Sequence, residues 1–154
     1  MIVKFTLGPN AKMPTHANET DAGYDLYYNG NDVSLFPNAH HLFQTGISWE
    51  PMFDAPERIF FKSINMGVYA HICDRSGLAL KAGLTVLGGI VDTDYRGDIG
   101  VILYNTSLTD TVLIKQGDKI AQIVFTPCFN PRIDVADILS TTTRGSGGFG
   151  STGN

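Results

Sequence analysis

The segment GGIVDTDYRGDIG, Gly88–Gly100, crowds three carboxylates, Asp92, Asp94 and Asp98, around Tyr95 and Arg96. Carboxylates at this spacing serve calcium binding, adhesion or proton transfer. The calcium reading fails on the ligand pattern. Counted from Asp92, the fifth position is Arg96 and the twelfth is Leu103, where an EF-hand needs an oxygen ligand and a glutamate. Arg96-Gly97-Asp98 spells an adhesion tripeptide, which requires an extracellular setting. Asp92 differs from its neighbours. It follows the apolar run GGIV and so falls at the end of a strand, where burial strengthens a carboxylate as a base. Such an Asp can take a proton from water. The plain alternative is an acidic hairpin turn exposed to solvent.

Three further segments carry polar groups in suggestive places. In DRSGLALK, Arg75 and Ser76 precede a helix-like run, so a guanidinium, a hydroxyl and free backbone N–H groups meet in a phosphate cradle. The alternative there is an N-cap beside a surface arginine. In GDKIAQIVF, Gln122 is the lone polar side chain inside an apolar strand read as buried on both faces. An unpartnered buried amide costs about 1–3 kcal/mol, so either the core or a ligand must supply its partners. In DAGYDLYY, Asp25 follows a glycine on a strand. His40 and His41 are adjacent on a strand and point to opposite faces, which argues against a shared metal. The end of the chain, RGSGGFGSTG, contains a literal G-x-G-x-x-G at Gly145, Gly147 and Gly150. A dinucleotide fingerprint needs a helix after it, and only four residues follow Gly150. By itself the run reads as a mobile tail or linker.

The elements that must position these groups are short. Strand-length apolar and β-branched runs recur: IVKFTL, YDLYY, HHLFQTGISW, RIFFKSI, VYAHIC, GGIVD, DIGVILYN, TVLIK, KIAQIVF and RIDVADIL. Turn signals such as NGND, PNAH, DYRGD and KQGDK separate them. Only SGLALKA reads as helix, with Ser76 as its cap and Gly83 as its stop. The expectation is an all-β fold, a distorted jelly roll or β-barrel with one short helix. The 154 residues suit one domain, and 43% hydrophobic residues can fill a core. No internal repeat or linker divides the chain. Patterning stops near Ser140, which predicts a folded body over 1–139 and a glycine-rich mobile arm over 140–154.

Charge narrows the function. Lys and Arg number 11 against 15 Asp and Glu, and they are scattered, so no basic face for nucleic acid is present. The start lacks a signal-peptide pattern and no run is long enough for a membrane span. Cys73 and Cys128 form no C-x-x-C, which predicts reduced thiols and a cytoplasmic location.

Taken in order, these segments resemble the five motifs of the trimeric dUTPases (dUTP diphosphatases): AGYDL at Ala22–Leu26, RSGLA at Arg75–Ala79, GGIVDTDYRGDI at Gly88–Ile99, GDKIAQI at Gly117–Ile123 and RGSGGFGSTG at Arg144–Gly153. Each is weak alone, and five in sequence are specific. Two departures stand out. Asp74 precedes the motif arginine where the family often has proline or a small residue. The stretch 50–68 is longer than the usual connection and predicts an extra loop or hairpin, a place for a protein partner.

The resemblance implies hydrolysis of dUTP to dUMP and pyrophosphate. Asp92 would be the general base for water attack on the α-phosphorus. Tyr95 would pack under the deoxyribose and exclude a 2′-hydroxyl. The hairpin from Val86 to Gly100, with Gly89, would read uracil through its backbone. Arg75, Ser76 and Gly77 would hold the phosphates, and Gln122 would donate to them. Asp25 would orient Arg75 and face Mg²⁺ through water. The arm would close as a lid, with Phe149 on uracil and Arg144, Ser151 and Thr152 on the γ-phosphate. Ordering ten such residues costs on the order of 10–20 kcal/mol, so the arm is expected to close only over ligand. The family forms homotrimers whose sites are shared between chains. Two other functions remain open at this stage: a dCTP deaminase-like or bifunctional enzyme, and a nucleotide-binding regulatory trimer.

Overall fold

The computed structural model describes residues 1–148. Eleven strands and two helices follow one another there: β1 Ile2–Leu7, β2 Tyr24–Tyr27, β3 Val33–Leu35, β4 His40–Gln44, β5 Ile47–Met52, α1 Ala55–Ser63, β6 Met66–Cys73, α2 Ser76–Ala82, β7 Leu84–Leu87, β8 Ile90–Val91, β9 Gly100–Asn105, β10 Val112–Ile114 and β11 Lys119–Phe129. Every ladder is antiparallel. A four-stranded sheet runs β2-β11-β6-β8 and a three-stranded one β4-β9-β7. Two-stranded ribbons, β1-β5 and β10-β3, complete the mostly-β, jelly-roll-like fold.

Alternation along the strands builds the core. On β9, Val101, Leu103 and Asn105 point inward, and on β6 Val68, Ala70 and Ile72 do so. Leu26, Phe43, Trp49 and Ile123 join them in one hydrophobic cluster. Asn105 is fully buried and well satisfied. Its amide donates to the carbonyls of Leu35 and Asp110 at 3.0 and 2.8 Å and accepts from Ser107 N–H at 3.0 Å.

Two strand expectations need correction. The segment RIFFKSI is not a strand, and the 50–68 insertion is neither a loop nor a hairpin: it holds α1. The fold therefore has two helices where one was expected. A capping box decides the matter. The Asp54 carboxylate accepts Glu57 N–H at 2.9 Å, and Glu57 reaches back to Asp54 N–H at 3.3 Å. Pro56 sits in the first turn and Lys62 in the last. These local terms outweigh the β-preference of Ile59, Phe60 and Phe61. The second correction is RIDVADIL. It forms no strand, and Ile133, Val135, Ile138 and Leu139 are all more than 80% exposed.

The expected helix α2 is present, and Gly83 stops it in the left-handed region at φ 63°. Ser76 is not its cap. The N-cap residue is Arg75, with no side-chain hydrogen bond to the first turn. No helix among the described residues is long and apolar enough to cross a membrane. Cys73 and Cys128 are free thiols.

Candidate active site

Three neighbouring strands set one row of polar groups. Gln122 on β11 lies opposite Asp25 on β2 and opposite Cys73 on β6. Partners in an antiparallel ladder share a face, so the three side chains stand side by side. Asp25 is 8% exposed and is the hub. Arg75, two residues beyond Cys73, donates through Nε to Asp25 Oδ1 at 2.8 Å. Lys119 Nζ approaches Asp25 Oδ2 at 2.7 Å. A second Arg75 nitrogen donates to the Lys119 carbonyl at 3.3 Å. Hydrogen bonding to Asp25, and then its charge, raises Lys119 above the ordinary lysine value. Two cations against one carboxylate leave the cluster net positive, as a phosphate site requires. Lys119 was not among the expected site residues; the only signal for it was its place beside Gln122 in GDKIAQI.

Gly23 explains part of the first motif. A Cβ there would lie 2.4 Å from Gln122 Oε1. Only a glycine lets the Gln122 amide pass over β2 without displacement. Ser76 and Gly77 open α2 beside Arg75. Both are exposed, and Gly77 faces open space.

The acidic segment separates into distinct tasks. Asp98 is structural: its carboxylate accepts Gly46 N–H at 2.8 Å and ties the turn to the β4–β5 junction. Arg96 approaches Glu50 at 3.8 Å. Tyr95 is held at both ends, by its N–H to the Asp92 carbonyl at 3.1 Å and by its hydroxyl to the Asp98 carbonyl at 3.0 Å. Its ring is nearly half exposed. Asp92 and Tyr95 then line a cleft of about 270 Å³ together with Gly88, Ile90, Gly100 and Ile102. The carboxylate of Asp92 is exposed in the single chain. The burial expected of it is not supplied by the described residues of its own chain.

Other expected residues fall elsewhere. Gly89 does not line the cleft; its carbonyl accepts Ile72 N–H at 2.7 Å. Val86 also lies off the cleft, and its N–H donates to Asp74 at 2.5 Å. Arg75, Ser76 and Gln122 are likewise absent from the lining. Arg144 donates to the Gly147 carbonyl at 2.8 Å and is exposed. Phe149, Ser151 and Thr152 lie outside the described residues.

Among the described residues, no three His, Cys, Asp or Glu side chains gather as a metal cage. Both oxygens of Asp25 already face cations, which leaves it fit to meet Mg²⁺ through water rather than directly.

Comparisons with known proteins bear on the family and the fold. The family model for dUTPase matches residues 9–153. The deoxyuridine 5'-triphosphate nucleotidohydrolase of Picosynechococcus sp. is 43% identical over 96% of this chain and 94% of its own. That of Clostridium tetani is 42% identical over 96% and 92%. Among solved structures, a mutant dUTPase of Staphylococcus bacteriophage 80alpha with dUpNHpp superposes with a TM-score of 0.81 at 23% identity, covering 99% of both chains. A mutant dUTPase of phage phi11 of S. aureus, with a structural Mg(II) ion, gives 0.75 at 23% identity over 92% and 100%. The structures bear on the fold alone, whereas the family match and the two relatives span the cation cluster and the Asp92 cleft together: this chain belongs to the dUTPase family.

Proposed function

We propose that the protein hydrolyses dUTP to dUMP and pyrophosphate. The observation that carries this is Asp92 on a cleft walled by hairpin backbone and Tyr95. Uracil enters between Gly88 and Gly100, where main-chain donors and acceptors face its edge. Tyr95 supports the deoxyribose. Asp92 takes a proton from a water beside the α-phosphorus. Arg75, with Lys119 behind it, neutralises the phosphates, and Ser76, Gly77 and Gln122 add hydrogen bonds. Such substitution is mostly positioning and charge neutralisation. Mg²⁺ bound to the triphosphate would offset charge and fix one phosphate geometry, and Asp25 would meet it through water. The curated relatives are named as nucleotidohydrolases, which does not favour a deaminase.

The site is completed by other copies of the chain in a homotrimer. The nucleoside cleft lacks Arg75, Ser76 and Gln122, and the apolar run at Ile133–Leu139 stands exposed among the described residues. The residues from Arg144 onward serve as a lid over the triphosphate. The test is pyrophosphate release from each dNTP in turn with Mg²⁺, for the full chain and for one ending at Thr143. Release from dUTP alone is expected. The shortened chain should assemble normally and turn over about 100-fold more slowly, because stacking and charged hydrogen bonds are lost. Equal rates would remove the lid, and release from dCTP or dTTP would remove the specificity.

Gly97 offers a test of Tyr95. A Cβ at Gly97 would lie 2.4 Å from the Tyr95 hydroxyl and 2.5 Å from Cζ. The obstructed atoms belong to a half-exposed ring, so the ring moves, its hydroxyl gives up the Asp98 carbonyl and the fold persists. Gly97→Ala is expected to shift the melting midpoint by no more than about 2 °C. It should raise KM for dUTP about tenfold and narrow the preference over UTP. Steady-state kinetics on the two nucleotides check this.

A further inference from the structure

Asp74 is out of place by charge. It adds a carboxylate next to the arginine that is to hold a triphosphate. Its hydrogen bonds show where that charge goes. Oδ1 accepts Val86 N–H at 2.5 Å, and the Thr85 hydroxyl donates to Oδ2 at 3.1 Å. Both partners lie on β7, the outer strand of the β4-β9-β7 sheet. The carboxylate is therefore committed to a sheet edge whose N–H would otherwise meet solvent.

The loop it anchors needs an anchor. Asp74 joins the end of β6 to α2. The seven-residue α2 has Arg75 as N-cap residue and no side-chain hydrogen bond into its first turn. A Cβ at Gly77 in that turn would meet open space. Arg75 is held at its guanidinium by Asp25, 2.8 Å away. Its carbonyl accepts Leu78 and Ala79 N–H at 2.9 and 3.0 Å, which ties it into its own turn, and its tie to a neighbouring strand comes through the residue before it.

We propose that Asp74 is a positioning residue for phosphate binding: it fastens the root of Arg75 to β7, as Asp25 fastens its head. This rests on the dUTP-hydrolysing reading of the site. The arrangement ties the Arg75 end of the turn to two sheets, its guanidinium to β2 and its root to β7. The loop then presents its donors to the phosphates already ordered, and binding does not spend free energy on ordering it. β7 keeps its ladder to β9 without Asp74, so the nucleoside cleft is not the part that loosens.

Two variants test this in the full-length protein. Asp74→Ala removes both hydrogen bonds. Asp74→Asn keeps an oxygen for Val86 N–H and removes the charge. For the alanine variant, affinity for a non-hydrolysable dUTP analogue is expected to fall about tenfold. Affinity for deoxyuridine, which has no phosphate, should stay within about twofold. The asparagine variant should bind the analogue within about threefold of the wild type, a rescue that a charge effect on phosphate would not give. Equal weakening of analogue and deoxyuridine would mean a general structural role and overturn the proposal. So would an alanine variant with unchanged analogue affinity, or an asparagine variant as weak as the alanine one. Wild-type protein that releases no pyrophosphate from dUTP overturns the functional reading, and this proposal with it. An active wild type with an unaffected alanine variant overturns this proposal alone.

Discussion

Asp92→Asn is expected to lower kcat on dUTP by about 10³-fold while leaving KM within a few-fold, since a positioned general base contributes 10²–10⁴. The substitution keeps shape and hydrogen-bonding capacity and removes only the ability to take the proton. Asp92 is exposed at the end of β8 and supports no buried partner, so the melting midpoint should hardly move. A KM that rose with kcat unchanged would make Asp92 a binding group instead. A second measurement fixes the bond that breaks. In labelled water the wild type should place one labelled oxygen in dUMP and none in pyrophosphate. Label in pyrophosphate would mean attack on the β-phosphorus and would reject the role given to Asp92.

The mostly-β fold was legible from the short apolar runs; the candidate site was legible as motifs. Its residue types are tightly constrained by local chemistry: Gly23 beneath Gln122, Asp25 against Arg75, and Tyr95 locked between Asp92 and Asp98. Such constraints leave short, recognisable strings. Lys119 was not legible because its contact runs across two strands and past an irregularity in register between Lys119 and Ala121. No simple alternation predicts which side chain a bulge re-aims. The insertion misled for a different reason. Ile59, Phe60 and Phe61 are good strand formers, and the helix is set by Asp54 and Glu57, which lie before them. The state of Asp92 depends on surfaces that a single sequence does not juxtapose. The described residues of its own chain leave the carboxylate open.

The cation cluster makes the other large prediction. Arg75→Lys keeps the charge, yet kcat/KM is expected to fall on the order of 10³-fold, the scale of an arginine that stabilises transferring phosphoryl charge. The geometry explains why charge is not enough. Arg75 spends Nε on Asp25 at 2.8 Å and a terminal nitrogen on the Lys119 carbonyl at 3.3 Å, and its planar fork leaves further N–H groups for phosphate. A lysine is a single point of charge on a flexible stem. Drawn to Asp25, it leaves the phosphate; drawn to the phosphate, it leaves Asp25 to Lys119 alone. Because Lys119 still neutralises Asp25, the loss of stability should be small, about 1 kcal/mol for a part-exposed pair. A denaturant midpoint near that of the wild type, with turnover cut by three orders of magnitude, would show that Arg75 serves the reaction rather than the fold. If the lysine variant keeps more than a tenth of the wild-type kcat/KM, the fork is not what holds the phosphates, and the burden passes to Lys119 and Gln122.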